Sequence, residues 1–114
     1  MGKKEWVDIL ENKFQRNLVN EIKQRFKGAI VLKNNGNYIQ GIPDIIILYK
    51  DTWASLEVKQ HQNAKKQPNQ DFYVKLMGEM SFSAFIYPEN KEDVLHAMEQ
   101  SFRNRGRTCV SESK

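Results

Sequence analysis

Two short runs hold the residues whose types and spacing could do chemistry. Gly41-Ile42-Pro43-Asp44 leads into the apolar run Ile45-Ile46-Ile47-Leu48, and Leu56-Glu57-Val58-Lys59 follows after a short link. Side chains alternate faces along a strand, so Glu57 and Lys59 share one face about 6–7 Å apart while Val58 turns into a core. If the two runs are neighbouring strands, Asp44 at the head of the first meets Glu57 on the second. Two carboxylates and an ammonium beside a hydrophobic sheet are costly unless the carboxylates hold a cation or take part in catalysis. Mg²⁺ suits such a set, since it takes oxygen ligands and keeps several waters. A bound ion acidifies water and supports charge on a phosphate, and a lysine adds a compact cation and a donor. The chemistry implied is metal-assisted phosphodiester hydrolysis. Taken singly, Asp44 reads equally as the end of a turn after Pro43, and Glu57 with Lys59 as the polar face of an exposed strand. Their conjunction on a hairpin favours the site.

The elements that must position these residues follow from periodicity. Trp6, Ile9, Leu10, Phe14, Leu18, Ile22 and Phe26 recur at helical spacing, and Gly28 supplies a stop. Residues 29–32 are strand-prone, and Asn34, Asn35, Gly36 and Asn37 read as a turn. Residues 45–49 form a central strand, apolar on both faces as a buried strand is. Lys50, Asp51 and Thr52 make a tight reversal into a strand over 53–59, which implies an antiparallel hairpin. Pro68 enters a helix over about 69–79, with Phe72, Tyr73, Leu76 and Met80 at helical spacing. A strand over 81–87 sets Phe82, Ala84 and Ile86 against Ser83, Phe85 and Tyr87. A closing helix runs from Lys91 to about Asn104 with Val94, Leu95, Met98 and Phe102 inward. The expected class is α/β, a small mixed β-sheet flanked by helices in the order α-β-β-β-α-β-α. Residues 1–105 make one domain, and 106–114 read as a flexible C-terminal tail.

Composition narrows the function. A 114-residue chain with 39% hydrophobic residues fits one folded core. No apolar run approaches a membrane span, and the first residues lack the apolar stretch of a secretion signal. The single cysteine, Cys109, excludes an intrachain disulfide, and one Cys with His61 and His96 is too little for a structural zinc site. The expected setting is a reducing cytoplasm, with no membrane partner and no organic cofactor. The net charge is +4, and Lys59, His61, Lys65, Lys66 and Lys75 gather just after the carboxylates. Beside that cluster, a basic flank reads as a phosphate-backbone track, though an ordinary solvated surface also explains it. His61, Lys65 and Lys66 are the DNA-contacting candidates, joined by Tyr38 in the loop before the site. A plain loop histidine and a plain turn are the alternatives. Trp6, Trp53, Phe72 and Tyr73 read as core more than as base-stacking platforms.

Pro43-Asp44 followed by Glu57-Val58-Lys59 after a short hairpin resembles the PD-(D/E)xK nuclease superfamily, whose core has this order of elements. Gly41-Ile42-Pro43-Asp44 with the downstream Gln70 is similar to the small VRR-NUC nucleases, which in turn are similar to archaeal-type Holliday junction resolvases and are often phage-encoded. The resemblance spans about residues 6–102 and implies a restriction-endonuclease-like core. By it, Asp44, Glu57, Lys59 and Gln70 would be catalytic. Asp44, Glu57, the Val58 carbonyl and a first-helix glutamate would hold Mg²⁺ or Mn²⁺. Glu11 fits that last place, because Glu11 and Gln15 stand one turn apart and echo a Glu-x-x-x-Gln opening; Glu21 competes with it. The resemblance further implies a DNA substrate, most like a four-way junction, and a homodimer with Phe82, Phe85 and Tyr87 at its interface, acting in the host cytoplasm if phage-encoded. The same chemistry on flaps, single strands or duplex DNA is the second reading, and a non-catalytic DNA-binding module with this fold is the third.

Overall fold

The structure, a computed structural model, describes the backbone of residues 3–34 and 39–112 and the side chains of 12–34 and 39–104. The side chains of Trp6, Ile9, Leu10 and Glu11, and Tyr38 with the turn expected at 35–37, lie outside the described residues. Seven elements follow in order: α1 (Lys3–Arg25), β1 (Ile30–Lys33), β2 (Ile45–Tyr49), β3 (Thr52–Val58), α2 (Gln70–Met80), β4 (Phe82–Ile86) and α3 (Lys91–Glu112). The fold is an α/β domain built on a four-stranded mixed sheet.

Strand order in the sheet equals chain order, β1-β2-β3-β4. The first two pairings are antiparallel and β3 pairs with β4 in parallel. Chain chemistry accounts for both modes. Lys50 takes a positive φ of 56° in the tight link between β2 and β3, and Thr52 Oγ1 donates to the Tyr49 carbonyl at 2.7 Å to close it. A parallel neighbour cannot be reached by so short a link, so the chain crosses through α2 before entering β4. Gly28, at φ 91°, turns the chain from α1 toward β1.

One face of the sheet carries the core. Ile45 and Ile47 of β2, Ala54, Leu56 and Val58 of β3, and Ile86 of β4 are all fully buried. They pack with Leu18, Ile22 and Phe26 of α1 and with Val94, Leu95, Met98 and Phe102 of α3. Phe26 meets Tyr49 and Phe102 edge-on, each at 5.4 Å between ring centroids, the geometry that aromatic quadrupoles favour. Phe82 and Ala84 pack onto this core with Ile86, as their alternation predicted.

The opposite face is covered differently. α2 lies over β3 and β4, where the Ser55 hydroxyl donates to Ser83 Oγ at 2.7 Å and sits 3.9 Å from Met77 Sδ. It does not reach across β1 and β2. Leu48 therefore stays 39% exposed and Ile30 57% exposed, so β2 is buried on one face and not on both.

Three further expectations are corrected. Phe72, read as core, is 58% exposed and rests edge-on against Tyr73. Gln70 points into the sheet, and at about 100° per residue Phe72 falls on the far side of the same helix. Met80, one of the apolar residues expected at helical spacing along this helix, is exposed as well. The closing helix also does not stop near Asn104; its backbone continues to Glu112. A lone glycine such as Gly106 costs a helix only about 1 kcal/mol relative to alanine, and no proline follows to end it.

Since Leu95 is fully buried between α3 and the sheet, Leu95→Ala is expected to lower stability by about 2–5 kcal/mol, read as a fall in the denaturant midpoint at unchanged m-value.

Candidate active site

The hairpin register sets the geometry of the site. Ile45 pairs with Leu56, so one further step along the same ladder brings Asp44 opposite Glu57. Directly opposed residues on antiparallel strands share a face, here the face under α2 and not the core face. Asp44 Oδ2 accepts a hydrogen bond from the Val58 amide at 3.0 Å, which holds the carboxylate against β3 just past Glu57. The segment before Asp44 is held from β1: Asn34 Nδ2 donates to the Pro43 carbonyl at 2.7 Å and Asn34 N to the Asp44 carbonyl at 2.8 Å. Asn34 read as a turn residue in the sequence; nothing in its local pattern distinguishes a turn former from a clamp on residues nine and ten positions later.

Glu57 and Lys59 are both buried, at 3% and 9% exposure. The ammonium of Lys59 lies 3.8 Å from Glu57 Oε2, and Gln70 joins the two. Its Nε2 donates to Glu57 Oε2 at 2.9 Å while its Oε1 accepts from Lys59 Nζ at 2.7 Å. The Gln67 amide also donates to Gln70 Oε1 at 2.9 Å, and Lys59 Nζ donates to the Lys65 carbonyl at 3.3 Å. A carboxamide has one acceptor end and one donor end, and a carboxylate and an ammonium need opposite ends. Gln70 therefore bridges them with its amide in a fixed sense. Glutamate at that position would repel Glu57, and lysine would repel Lys59.

Gln70 stands where it does because α2 begins there. The residue before it, Asn69, adopts a left-handed conformation at φ 71° and packs against Gly41, itself at φ 90°. A Cβ on Gly41 would lie 2.6 Å from Asn69 Cβ and 2.8 Å from the Pro68 carbonyl oxygen. No side chain fits there. The glycine of the Gly41-Ile42-Pro43-Asp44 run thus lets the loop carrying Asp44 touch the turn carrying Gln70.

The structure brings Asp44, Glu57, Val58, Lys59 and Gln70 together. Other sequence candidates are placed elsewhere. Glu21 is paired with Lys91 at 2.8 Å. The backbone of Glu11 belongs to α1, one turn before Gln15, and its side chain lies outside the described residues. His61 is exposed, and its Nδ1 accepts from the Asn63 amide at 3.2 Å, the role of a loop histidine. Lys66 pairs with Asp71 at 3.1 Å and lies 4.4 Å from the centre of the Phe85 ring. Lys65 is exposed and enters the site through its carbonyl. A cleft of about 360 Å³ occupies the opposite end of the strands, between Arg25, Tyr49, Lys50, Phe102 and Arg103. It shares no residue with this cluster.

Among the described residues, no three His, Cys, Asp or Glu side chains are grouped to hold a metal. Asp44 and Glu57 supply two carboxylates against one ammonium, a formal charge of −1 in a largely buried setting. That set of hard oxygen donors fits a divalent cation of the Mg²⁺ type, which needs only one or two protein carboxylates. It does not fit a closed zinc site.

No protein-family model matches the chain, and neither a curated protein nor a solved structure matches it.

Gly41→Ala tests the contact between the two loops. It is expected to cost about 2 kcal/mol or more, from left-handed strain plus the clash with Asn69. Backbone amide shifts should centre on residues 39–44 and 67–71; a stability loss without shifts at 67–71 would remove Gly41 from the site's support.

Proposed function

We propose that the chain is a metal-dependent nuclease that hydrolyses phosphodiester bonds in DNA, with a core of the PD-(D/E)xK type. The observation that carries this reading is the bridge of Gln70 between Glu57 and Lys59, with Asp44 held beside them by the Val58 amide. A sheet has little reason to bury a glutamate, a lysine and a glutamine under one helix for stability alone. A buried ion pair of this kind is often no better than apolar side chains of equal volume. What the arrangement supplies is a preorganised set of charges at the end of two strands, the requirement for stabilising a transition state electrostatically.

In this reading Asp44 and Glu57 hold Mg²⁺ or Mn²⁺, with the Val58 carbonyl and Glu11 as further ligands. When bound, the ion supplies acidified water and charge support for the phosphate. Lys59 orients the attacking water and offsets the charge that accumulates on the phosphate oxygens. Gln70 keeps Lys59 from closing fully onto Glu57, so that the ammonium stays available to substrate. Water adds to phosphorus, one ester P–O bond breaks, and the leaving oxygen takes up a proton.

Four-way junctions are the preferred substrate within this proposal. Resolving one takes two symmetric cuts and so two copies of the site related by a two-fold axis. The exposed apolar residues Ile30, Leu32 and Leu48 on the uncovered sheet face suit that contact better than Phe82, Phe85 and Tyr87. Phe82 packs on the chain's own core and Phe85 lies beneath Lys66. A non-catalytic module is disfavoured because carboxylates facing a phosphate backbone repel it unless a cation intervenes.

Cleavage of a labelled four-way junction and its matched linear duplex in Mg²⁺, with Glu57→Ala as control, tests the proposal. Paired symmetric nicks confined to the junction are expected, falling by about 10²–10³-fold in the variant and disappearing with chelator. Equal cutting of both substrates would retain the nuclease and discard junction preference. Intact junction binding without cutting in Mg²⁺ or Mn²⁺ would leave only a binding module.

A further inference from the structure

Arg16, Asn20 and Lys33 take no part in the site described above, yet they lie at the same end of the sheet. Lys33 is the last residue of β1 and pairs with Ile45, the neighbour of Asp44. With Gln15 and Val19, these residues line a surface groove of about 210 Å³ between α1 and the end of β1. Its lining is two cations, two amides and one aliphatic side chain, with no carboxylate.

Arg16 and Lys33, like Lys13, Lys23 and Lys27, form no ion pair among the described residues; what distinguishes them is that they line one groove at the site's end of the sheet. Gln15 is only 8% exposed, and its amide has no hydrogen-bond partner among the described residues. Gln15 lines the groove, where its amide can donate to an anion. Guanidinium, ammonium and carboxamide groups all donate to phosphate oxygens, and Val19 offers an apolar wall to a sugar.

We infer that this groove seats the phosphodiester backbone of DNA next to the Asp44–Glu57 site, a proposal that rests on the nuclease reading above. Lys33 shares the core face of the sheet with Ile45, on the α1 side, while Lys65 and Lys66 belong to the loop on the α2 side. The carboxylates stand at the same end of the sheet, on its α2 face. A strand of DNA seated in the groove crosses the ends of β2 and β3 to bring its scissile phosphate to them. Contacts of this kind fix register on the backbone and carry no base preference.

The test is binding of a labelled four-way junction and of its matched duplex, in Ca²⁺ over a series of salt concentrations. The variants are Arg16→Ala/Lys33→Ala and, as a charge-matched control, Lys23→Ala/Lys27→Ala, with circular dichroism and thermal midpoints confirming their folding. The groove variant is expected to bind both substrates at least about tenfold more weakly and to lose about 1.8 from the slope of log K against log salt, about 0.9 per phosphate contact. The control should stay within about twofold of wild type, and Arg16→Lys/Lys33→Arg should retain most of the affinity. Wild-type affinity and slope in the groove variant, or an equal loss in the control, would overturn the groove while leaving a cutting wild type a nuclease. A wild type that binds but never cuts would overturn the nuclease and leave the groove to be judged by these same variants. A wild type that binds no DNA would overturn both.

Discussion

A single neutral side chain reconciles two opposite charges that the sheet has taken out of water. Desolvating a carboxylate and an ammonium costs several kcal/mol for each ion, and their attraction repays that cost only when further hydrogen bonds satisfy both. Gln70 supplies those bonds, one from each end of its amide. Much of the local structure follows from seating this residue. α2 must begin at Gln70 and turn it toward β3, which sends Phe72 to solvent. Asn69 must adopt a left-handed conformation, and the loop pressed against it must present a glycine.

The two faces of the sheet consequently do different work. The face toward α1 and α3 is a dry apolar layer of Ile, Leu, Val, Met and Phe, and it anchors β2 and β3. The other face is polar under α2 and bare over β1 and β2. Each side chain of the site has a neighbour in the strand that points the opposite way into the core: Ile45 beside Asp44, Leu56 and Val58 on either side of Glu57. The packing of one face thereby sets the position of the charges on the other, since a slip of one residue in register would exchange the two sets.

Strands and helices were legible because hydrophobic periodicity is strong in this chain. The 45–49 and 53–59 runs, the seven-element order and the inward residues of α3 follow from pattern and from the short link at Lys50 and Asp51. Errors arose where pattern depends on what lies across from an element. Nothing in β2 shows that α2 stops short of it, so Leu48 looked buried. Phe72 looked like core because large aromatic residues usually are. A helix end that depends on a single glycine is a matter of about 1 kcal/mol, too little for the sequence to settle near Gly106.

The sequence by itself determined which chemistry is available: an aspartate entering one strand, a glutamate and a lysine two apart on the next, and a tight link that makes the strands partners. Alternation along a strand is a property of the backbone, so Glu57 and Lys59 could be assigned to one face without knowing the fold. Tertiary structure decided what those residues touch. The amide bridge of Gln70, the approach of Gly41 to Asn69, the clamp of Asn34 on Pro43 and Asp44, and the convergence of Arg16 with Lys33 all join segments far apart in the chain. Such contacts arise only when helices settle on a sheet, because no local rule of spacing or propensity acts across the intervening residues.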